Sequence, residues 1–370
     1  CSSEVHIFNP AFSIGYFITP HGFGHAARAC AVMQALHRQF PSVHFELFTE
    51  VPEWFFQNSL ACSYTYNRVG CDVGLAQVNP FEVDPAETIR RLERLFADRK
   101  QMLGHFTGVL KTSRCRLILC DIAFLGIEAA EILGIPSILI ENFTWDFIYA
   151  GYSHLEPKLE YYAGEIKKVF DRVPYHIQST PICEPNPNYY QVAPVSRPPK
   201  SKPGEVRKLL DVAPDEPLIL VTTGGIVPEV HPDAGLKKFS EITFILPGAG
   251  SKASRDANLI RLPHQTGYYS PDLVAASDAV IAKLGYSTVA EVFHAGLPFG
   301  YIQRPDFPES KPMGRFVQSE MRALELALDA FSCGEWGDLP QKLLDLPRRN
   351  PPKVNGAEQI ADIVMEKALR

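Results

Sequence analysis

The chain has 370 residues and is 46% hydrophobic, enough for two domains with separate cores. Its 36 basic and 42 acidic residues leave a net charge of −6 without a dense basic patch, which argues against nucleic acid as a partner. No apolar run reaches the roughly 18 residues that span a bilayer, so no transmembrane segment is expected.

The eight cysteines, at 1, 30, 62, 71, 115, 120, 183 and 333, include no Cys-x-x-Cys pair. Neither a zinc site nor a disulfide framework is suggested, and buried thiols in a reducing cytoplasm are the expectation. Cys1-Ser2-Ser3 stands where Met would open a chain and reads as a trimmed start, with a lipoprotein cysteine as the alternative.

The first half alternates strands and helices. Residues 13–19 read as a strand, and 26–40 as a helix with apolar positions at 29, 32, 33, 36 and 40, close to the 3.6 period. A strand over 44–48, a long helix over 88–110 and a strand over 116–120 ending at Asp121 follow. A helix over 126–133 and a strand over 137–140 ending at Glu141 and Asn142 complete the series. Strands separated by helices imply parallel pairing in a doubly wound sheet. Seven prolines then crowd residues 181–204, which read as a stiff connection after a first domain at 1–180.

The rhythm restarts in a second domain at 205–355, with strands over 218–221, 242–246, 258–262, 279–282 and 299–302. Helices are expected over 270–276 and 315–328, and a last one lies within 356–370, where it can pack back on the first domain. In such sheets ligands bind beyond the strand carboxyl ends, so two facing halves would enclose one cleft.

The first chemical feature is Pro20-His21-Gly22-Phe23-Gly24-His25, between the first strand and the first helix. Gly22 and Gly24 permit close approach of a ligand to the backbone. The third glycine of a dinucleotide loop is absent and no acid follows at the usual distance, so a nicotinamide site is rejected. His25 either caps the helix or takes a proton from an acceptor hydroxyl, with His21 as the rival base. Asp121 ends a later parallel strand and can orient the His25 ring.

The second feature is Lys283-Leu284-Gly285-Tyr286-Ser287-Thr288-Val289-Ala290-Glu291, a strand end, a turn and a helix start. A helix N-terminus offers free N–H groups and a positive dipole end to a phosphate. Glu291, one turn in, can accept two hydrogen bonds from a ribose diol, and Lys283 either neutralises phosphate or simply lies on the surface. Thr222-Thr223-Gly224-Gly225 reads as a second phosphate-contacting turn or as an ordinary one. His264, after the strand over 258–262, joins the candidate nucleotide-sugar contacts. In Gln303-Arg304-Pro305-Asp306, either Arg304 pairs with phosphate and Asp306 and Glu309 meet sugar hydroxyls, or the segment is a solvated loop. No Asp-x-Asp occurs, so no metal is expected and the helix dipoles would neutralise a leaving diphosphate. Trp145 and Tyr149 either stack on a sugar or pack in the core, and Asp146 is a secondary acid.

With its two-halved plan, the chain resembles GT-B glycosyltransferases, and within them the glycosyltransferase-like N-terminal region of L-arabinokinases and its stand-alone bacterial relatives. The stretches that carry the resemblance are His21–Arg28, Asp72–Gln77, Asn142–Ala150, Pro271–Asp278 and Lys283–Glu291. It implies two facing Rossmann-like domains, a nucleoside diphosphate sugar as co-substrate in the second and an unknown acceptor on the first. It also implies His25 as base with Asp121 as its partner, Ser287 and Thr288 on the diphosphate, and Glu291 on the ribose. The expected activity is metal-independent glycosyl transfer. The alternative is a non-catalytic nucleotide-sugar sensor or partner domain.

Overall fold

The computed structural model describes residues 12–79, 81–224, 233–263, 267–304 and 306–368. Cys1, Gly225, His264 and Pro305 lie outside them.

The first half runs β1 (Ser13–Ile18), α1 (Gly24–Gln39), β2 (His44–Thr49), α2 (Glu53–Ser59), β3 (Ser63–Arg68), β4 (Gln77–Asn79), β5 (Glu82–Val83), α3 (Pro85–Thr112) and β6 (Cys115–Asp121). It continues with α4 (Phe124–Leu133), β7 (Ser137–Glu141), α5 (Trp145–Gly151), α6 (Lys158–Phe170), β8 (Tyr175–Ser179) and β9 (Tyr190–Val192). Seven strands form a parallel sheet in the order β3-β2-β1-β6-β7-β8-β9. Helices cover both faces, so the central strands β1, β6 and β7 are apolar almost throughout. The edge strand β3 is polar, Ser63-Tyr64-Thr65-Tyr66-Asn67-Arg68, and carries no apolar run to announce it.

The second half runs α7 (Pro203–Leu209), β10 (Leu218–Thr222), α8 (Asp233–Leu236), β11 (Thr243–Pro247), β12 (Ser254–Asp256), β13 (Leu259–Leu262), α9 (Ser270–Ala276) and β14 (Ala279–Lys283). Then come α10 (Tyr286–Ala295), β15 (Phe299–Ile302), α11 (Ser310–Glu320), β16 (Ala323–Glu325), α12 (Leu328–Cys333), α13 (Leu339–Asp345) and α14 (Gly356–Ala368). The sheet order is β12-β13-β11-β10-β14-β15-β16, and β12 alone pairs antiparallel. The single helix expected over 315–328 is corrected: α11 ends at Glu320, and Ala323–Glu325 pairs with β15 as a parallel edge strand. Backbone pairing at an open sheet edge overrides helical patterning there.

One apolar layer joins the halves. Ala29, Val32, Met33 and Leu36 of α1 share a buried cluster with Val289 and Val292 of α10 and with Ile360 and Val364 of α14. The last helix thus returns to the first domain, where Gln39 donates to Asp362 at 2.7 Å and Arg38 pairs with Glu358. Val195, Ser196 and Arg197 of the proline-rich segment are buried. Among the described residues no helix is long and apolar enough to cross a membrane.

Strand order reverses between β1 and β6 and between β10 and β14. At such switch points the following loops part and leave a crevice. The loops after β1, β6, β10 and β14 carry the chemistry described below.

Gly126 lies inside α4, where alanine would ordinarily gain up to about 1 kcal/mol of helix propensity. A Cβ there meets the Phe17 ring at 2.6 Å and Cys120 Sγ at 2.7 Å. Overpacking of about 1–3 kcal/mol outweighs the gain. Gly126→Ala is expected to lower the urea midpoint at unchanged slope; a raised midpoint would contradict the packing.

Candidate active site

The chain leaves β1, turns through Gly22 with φ at 71°, and enters α1 at Gly24. His25 therefore stands in the first helical turn, and Arg28, three residues on, shares its face. Both reach the end of β6. His25 Nδ1 lies 2.6 Å from Asp121 Oδ1. Arg28 closes a fork on the same carboxylate, Nε to Oδ2 at 2.7 Å and Nη2 to Oδ1 at 2.7 Å. Burial pushes the Asp121 carboxyl up, but the charges and hydrogen bonds of Arg28 and His25 bring it below its ordinary range. An ionised carboxylate only accepts, so Nδ1 carries the imidazole proton and Nε2 is left for a ligand.

The remaining Arg28 nitrogen, Nη1, donates to Asn142 Oδ1 at 2.6 Å, just past β7. Asn142 in turn donates to Glu309 Oε1 of the second domain at 2.8 Å, and Arg304 donates to Glu309 Oε2 at 3.3 Å. The guanidinium of Arg28 also lies 4.9 Å from the ring centre of Tyr286, the first residue of α10. His25 and the N-terminus of α10 are thereby joined across the cleft through Arg28.

On the second domain, Gly285 caps α10, which starts at Tyr286, and no side chain takes the capping role. The N–H groups of Tyr286, Ser287 and Thr288 are in its first turn. Ser287 Oγ would lie 3.7 Å from a Cβ on Gly24, so the two loops face each other closely. Lys283 makes no hydrogen bond or ion pair with a described residue. Burial, then Arg304, pushes its ammonium down to about 7, against Glu309. Burial also lowers Arg304, whose Nε has no hydrogen-bond partner and whose guanidinium lies 3.8 Å over the Phe307 ring. Two under-paired cations thus flank a helix N-terminus. Gly224, with φ at 78°, brings the β10 loop to within 3.6 Å of Lys283 Cε, measured from its Cβ position.

Glu291 lines the cleft but is engaged. Its Oε1 accepts from Arg197 Nη2 at 2.9 Å and Nε at 3.3 Å, and its Oε2 accepts from Ser270 at 3.2 Å. A carboxylate offers about four acceptor positions. Three are filled, so a ribose diol donating two bonds must displace one. Arg197 also donates to Ser59 at 3.0 Å and lies 4.9 Å from both the Phe55 and Tyr269 ring centres. Its setting in Val195-Ser196-Arg197-Pro198 gave no signal of this role.

Gly22, Gly24, His25, Gly224, Lys283, Gly285, Ser287, Thr288, Glu291 and Arg304 line one cleft, with Asp121 directly behind His25. Thr223 is buried beside the cleft wall, and Asp306 points to solvent while Phe307 and Glu309 line the cleft. Trp145 and Tyr149 are core residues: Trp145 donates to Asp72 at 2.8 Å, and Tyr149 to the Gly74 carbonyl at 2.9 Å. Asp146 has a buried, unpartnered Oδ1 and does not line the cleft. His21 accepts from the Leu75 N–H at 3.4 Å. Burial, then His25, Arg304 and Lys283, holds its imidazole well below the ordinary range, which makes it a poor base. Among the described residues no group of three or more His, Cys, Asp or Glu is arranged to hold a metal.

No family model matches the chain. It is 27% identical to the L-arabinokinase of Arabidopsis thaliana over 370 residues, a match that covers 96% of this chain and 34% of that relative. The homology is distant and spans the whole chain, which is about a third of the relative's length. A UDP-glucosyltransferase from Polygonum tinctorium capable of glucosylating indoxyl superposes with a TM-score of 0.63 at 13% identity, covering 96% of this chain and 98% of that one. Medicago truncatula UGT71G1, complexed with UDP-glucose, gives 0.58 at 14% identity, covering 98% and 95%. Arabidopsis thaliana UGT89C1, complexed with UDP, gives 0.62 at 13%, covering 96% and 94%. The architecture is the GT-B glycosyltransferase fold, two Rossmann-like domains with parallel sheets.

Arg28 is 1% exposed and Asp121 is fully buried. Removing one partner of a buried pair strands the other charge at a cost of about 3–5 kcal/mol. Asp121→Asn should lose about that much stability in chemical denaturation; a loss below about 1 kcal/mol would contradict the pairing.

Proposed function

We propose that the protein is a metal-independent glycosyltransferase that moves a sugar from a nucleoside diphosphate donor to an acceptor hydroxyl. The observation that carries this reading is a pair of under-paired cations, Lys283 and Arg304, at the N-terminus of α10, facing the His25–Asp121 pair across one cleft. The helix N–H groups and the two cations take the diphosphate. His25 Nε2 takes the acceptor proton, the acceptor oxygen attacks the anomeric carbon, and the bond from that carbon to the diphosphate oxygen breaks. Glu291 holds the ribose after Ser270 or Arg197 yields one acceptor position. UDP-sugars are the first donors to test, because structural neighbours were solved with UDP or UDP-glucose. The described cysteines are all unpaired, which supports a reducing, cytoplasmic setting.

A second reading, a nucleotide-sugar-binding domain without turnover, uses the same phosphate cradle. The grip of Arg28 on Asp121 favours it, since it occupies the carboxylate that would support a base.

His25→Ala separates the two. Turnover should fall roughly 100- to 10,000-fold while UDP binding persists. Transfer that survives the substitution removes His25 from the chemistry, and UDP binding with no transfer by the unsubstituted protein selects the second reading.

Lys283 supplies a pH test. Its charged form lies below pH about 7, and a bound diphosphate favours that form. Binding should therefore take up a proton, and UDP affinity should fall about tenfold or more from about pH 6.5 to about pH 8.5. Calorimetry in buffers of different ionisation enthalpy reads both effects. Lys283→Met should flatten the profile; an equally steep one in that variant would assign the proton elsewhere.

A further inference from the structure

In a two-member pair, a histidine that gains a proton ends beside a carboxylate and the pair becomes neutral. Asp121 is already neutralised. Arg28, which is always charged, takes both carboxylate oxygens, and His25 shares Oδ1 with it. A proton on His25 therefore leaves one net positive charge among three buried side chains. Arg28 Nη2 also stands 3.2 Å from His25 Nδ1, and both nitrogens carry hydrogen, so this approach is repulsive.

One further acid stands near, Asp72, which accepts from Thr19 at 2.6 Å and from Trp145 at 2.8 Å and whose carboxyl burial pushes up to about 7, towards its neutral form. The Tyr16 hydroxyl beside the group is buried without a hydrogen-bond partner, Asn142 is uncharged, and Tyr286 presents its ring face to Arg28. Glu309, one link further, is held by Asn142 and Arg304. On the cleft side the His21 ring lies 6.5 Å from that of His25, Lys283 and Arg304 line the same cleft, and its carboxylates Glu291 and Glu309 are each paired with an arginine. The site presents a positive field to an incoming anion.

We propose that Arg28 is a specificity-determining positioning residue that restricts the acceptor to an acidic oxygen, a phenol or a carboxylic acid, and disfavours an alkanol. This rests on the transferase reading above. An acidic acceptor arrives partly or wholly ionised, so little proton removal is left to His25. Its oxygen bonds to the anomeric carbon, the diphosphate leaves with the bonding pair, and any remaining proton goes to His25 Nε2. No further reactant is needed.

The test is a series of acceptors of graded acidity with UDP-glucose as donor probe: benzoate, para-nitrophenol, phenol and benzyl alcohol. Release of UDP and the glucosylated product are followed with the full chain. Benzoate and para-nitrophenol should exceed benzyl alcohol by about 100-fold in kcat/KM. Arg28→Met, which keeps an apolar stem and removes the charge, should narrow that gap about tenfold or more, and Arg28→Lys, which restores the charge, should reopen it. Thermal shift with UDP shows that each variant retains the donor site. If Arg28→Met does not fold, the unsubstituted protein decides alone: equal use of benzyl alcohol and para-nitrophenol overturns the proposal. An unchanged gap in a folded Arg28→Met protein overturns it too. Transfer to benzyl alcohol alone overturns the proposal and leaves the transferase reading standing, and UDP binding without transfer to benzoate or para-nitrophenol overturns the proposal as well.

Discussion

A guanidinium sealed in a helix with almost no water contact must find every partner inside the protein. Arg28 is such a group, and its needs organise the centre of the molecule. Its fork requires a carboxylate at the end of β6, its outer nitrogen requires a carbonyl oxygen past β7, and its face requires a ring from the second domain. An unmet demand would leave a buried charge or donor, at several kcal/mol each. Three elements of the first domain and the first turn of α10 are thus set by one side chain. The small residues of α1, Ala26, Ala27, Ala29 and Ala31, let sheet and helices approach closely enough to exclude water from it.

The sequence made the ends of this arrangement legible and left out its middle. A glycine-flanked histidine after a first strand and an aspartate closing a later parallel strand pointed to one cleft, because parallel topology brings those ends together. Arg28 lay in plain view three residues on, but a single arginine in a helix is ordinarily exposed, and no local pattern marks one that faces inward. Arg197 was harder still, since its partners come from positions 59, 269 and 291. Glu309 was read as a sugar contact because it follows a strand. Only the closed cleft reveals that it bonds to Asn142, 167 positions away.

The fold was more legible than the site because buried parallel strands announce themselves as apolar runs. The misses share one physical cause. β3 and β16 are edge strands, stabilised by backbone pairing on one side, and their side chains do not carry the burial signal. Helical patterning past Glu320 therefore looked continuous where the chain turns back to β15.

Charge accounting across the cleft unites these observations. Most buried ionic groups lining it are spent on one another: Arg28 on Asp121, Arg197 on Glu291, Glu309 on Asn142 and Arg304. Among the described residues Lys283 makes no hydrogen bond or ion pair, and Arg304 Nε is buried without a hydrogen-bond partner. A cleft built this way has a positive focus beside the first turn of α10 and two carboxylates, Glu291 and Asp121, already neutralised by arginines. Binding energy is then concentrated on the anion. Under the proposed transferase reading, a nucleoside competes with Arg197 for Glu291, and an acceptor brings an oxygen that asks little of His25. Under that reading the positive focus favours an anion, and the pairs across the cleft set which molecules can join it.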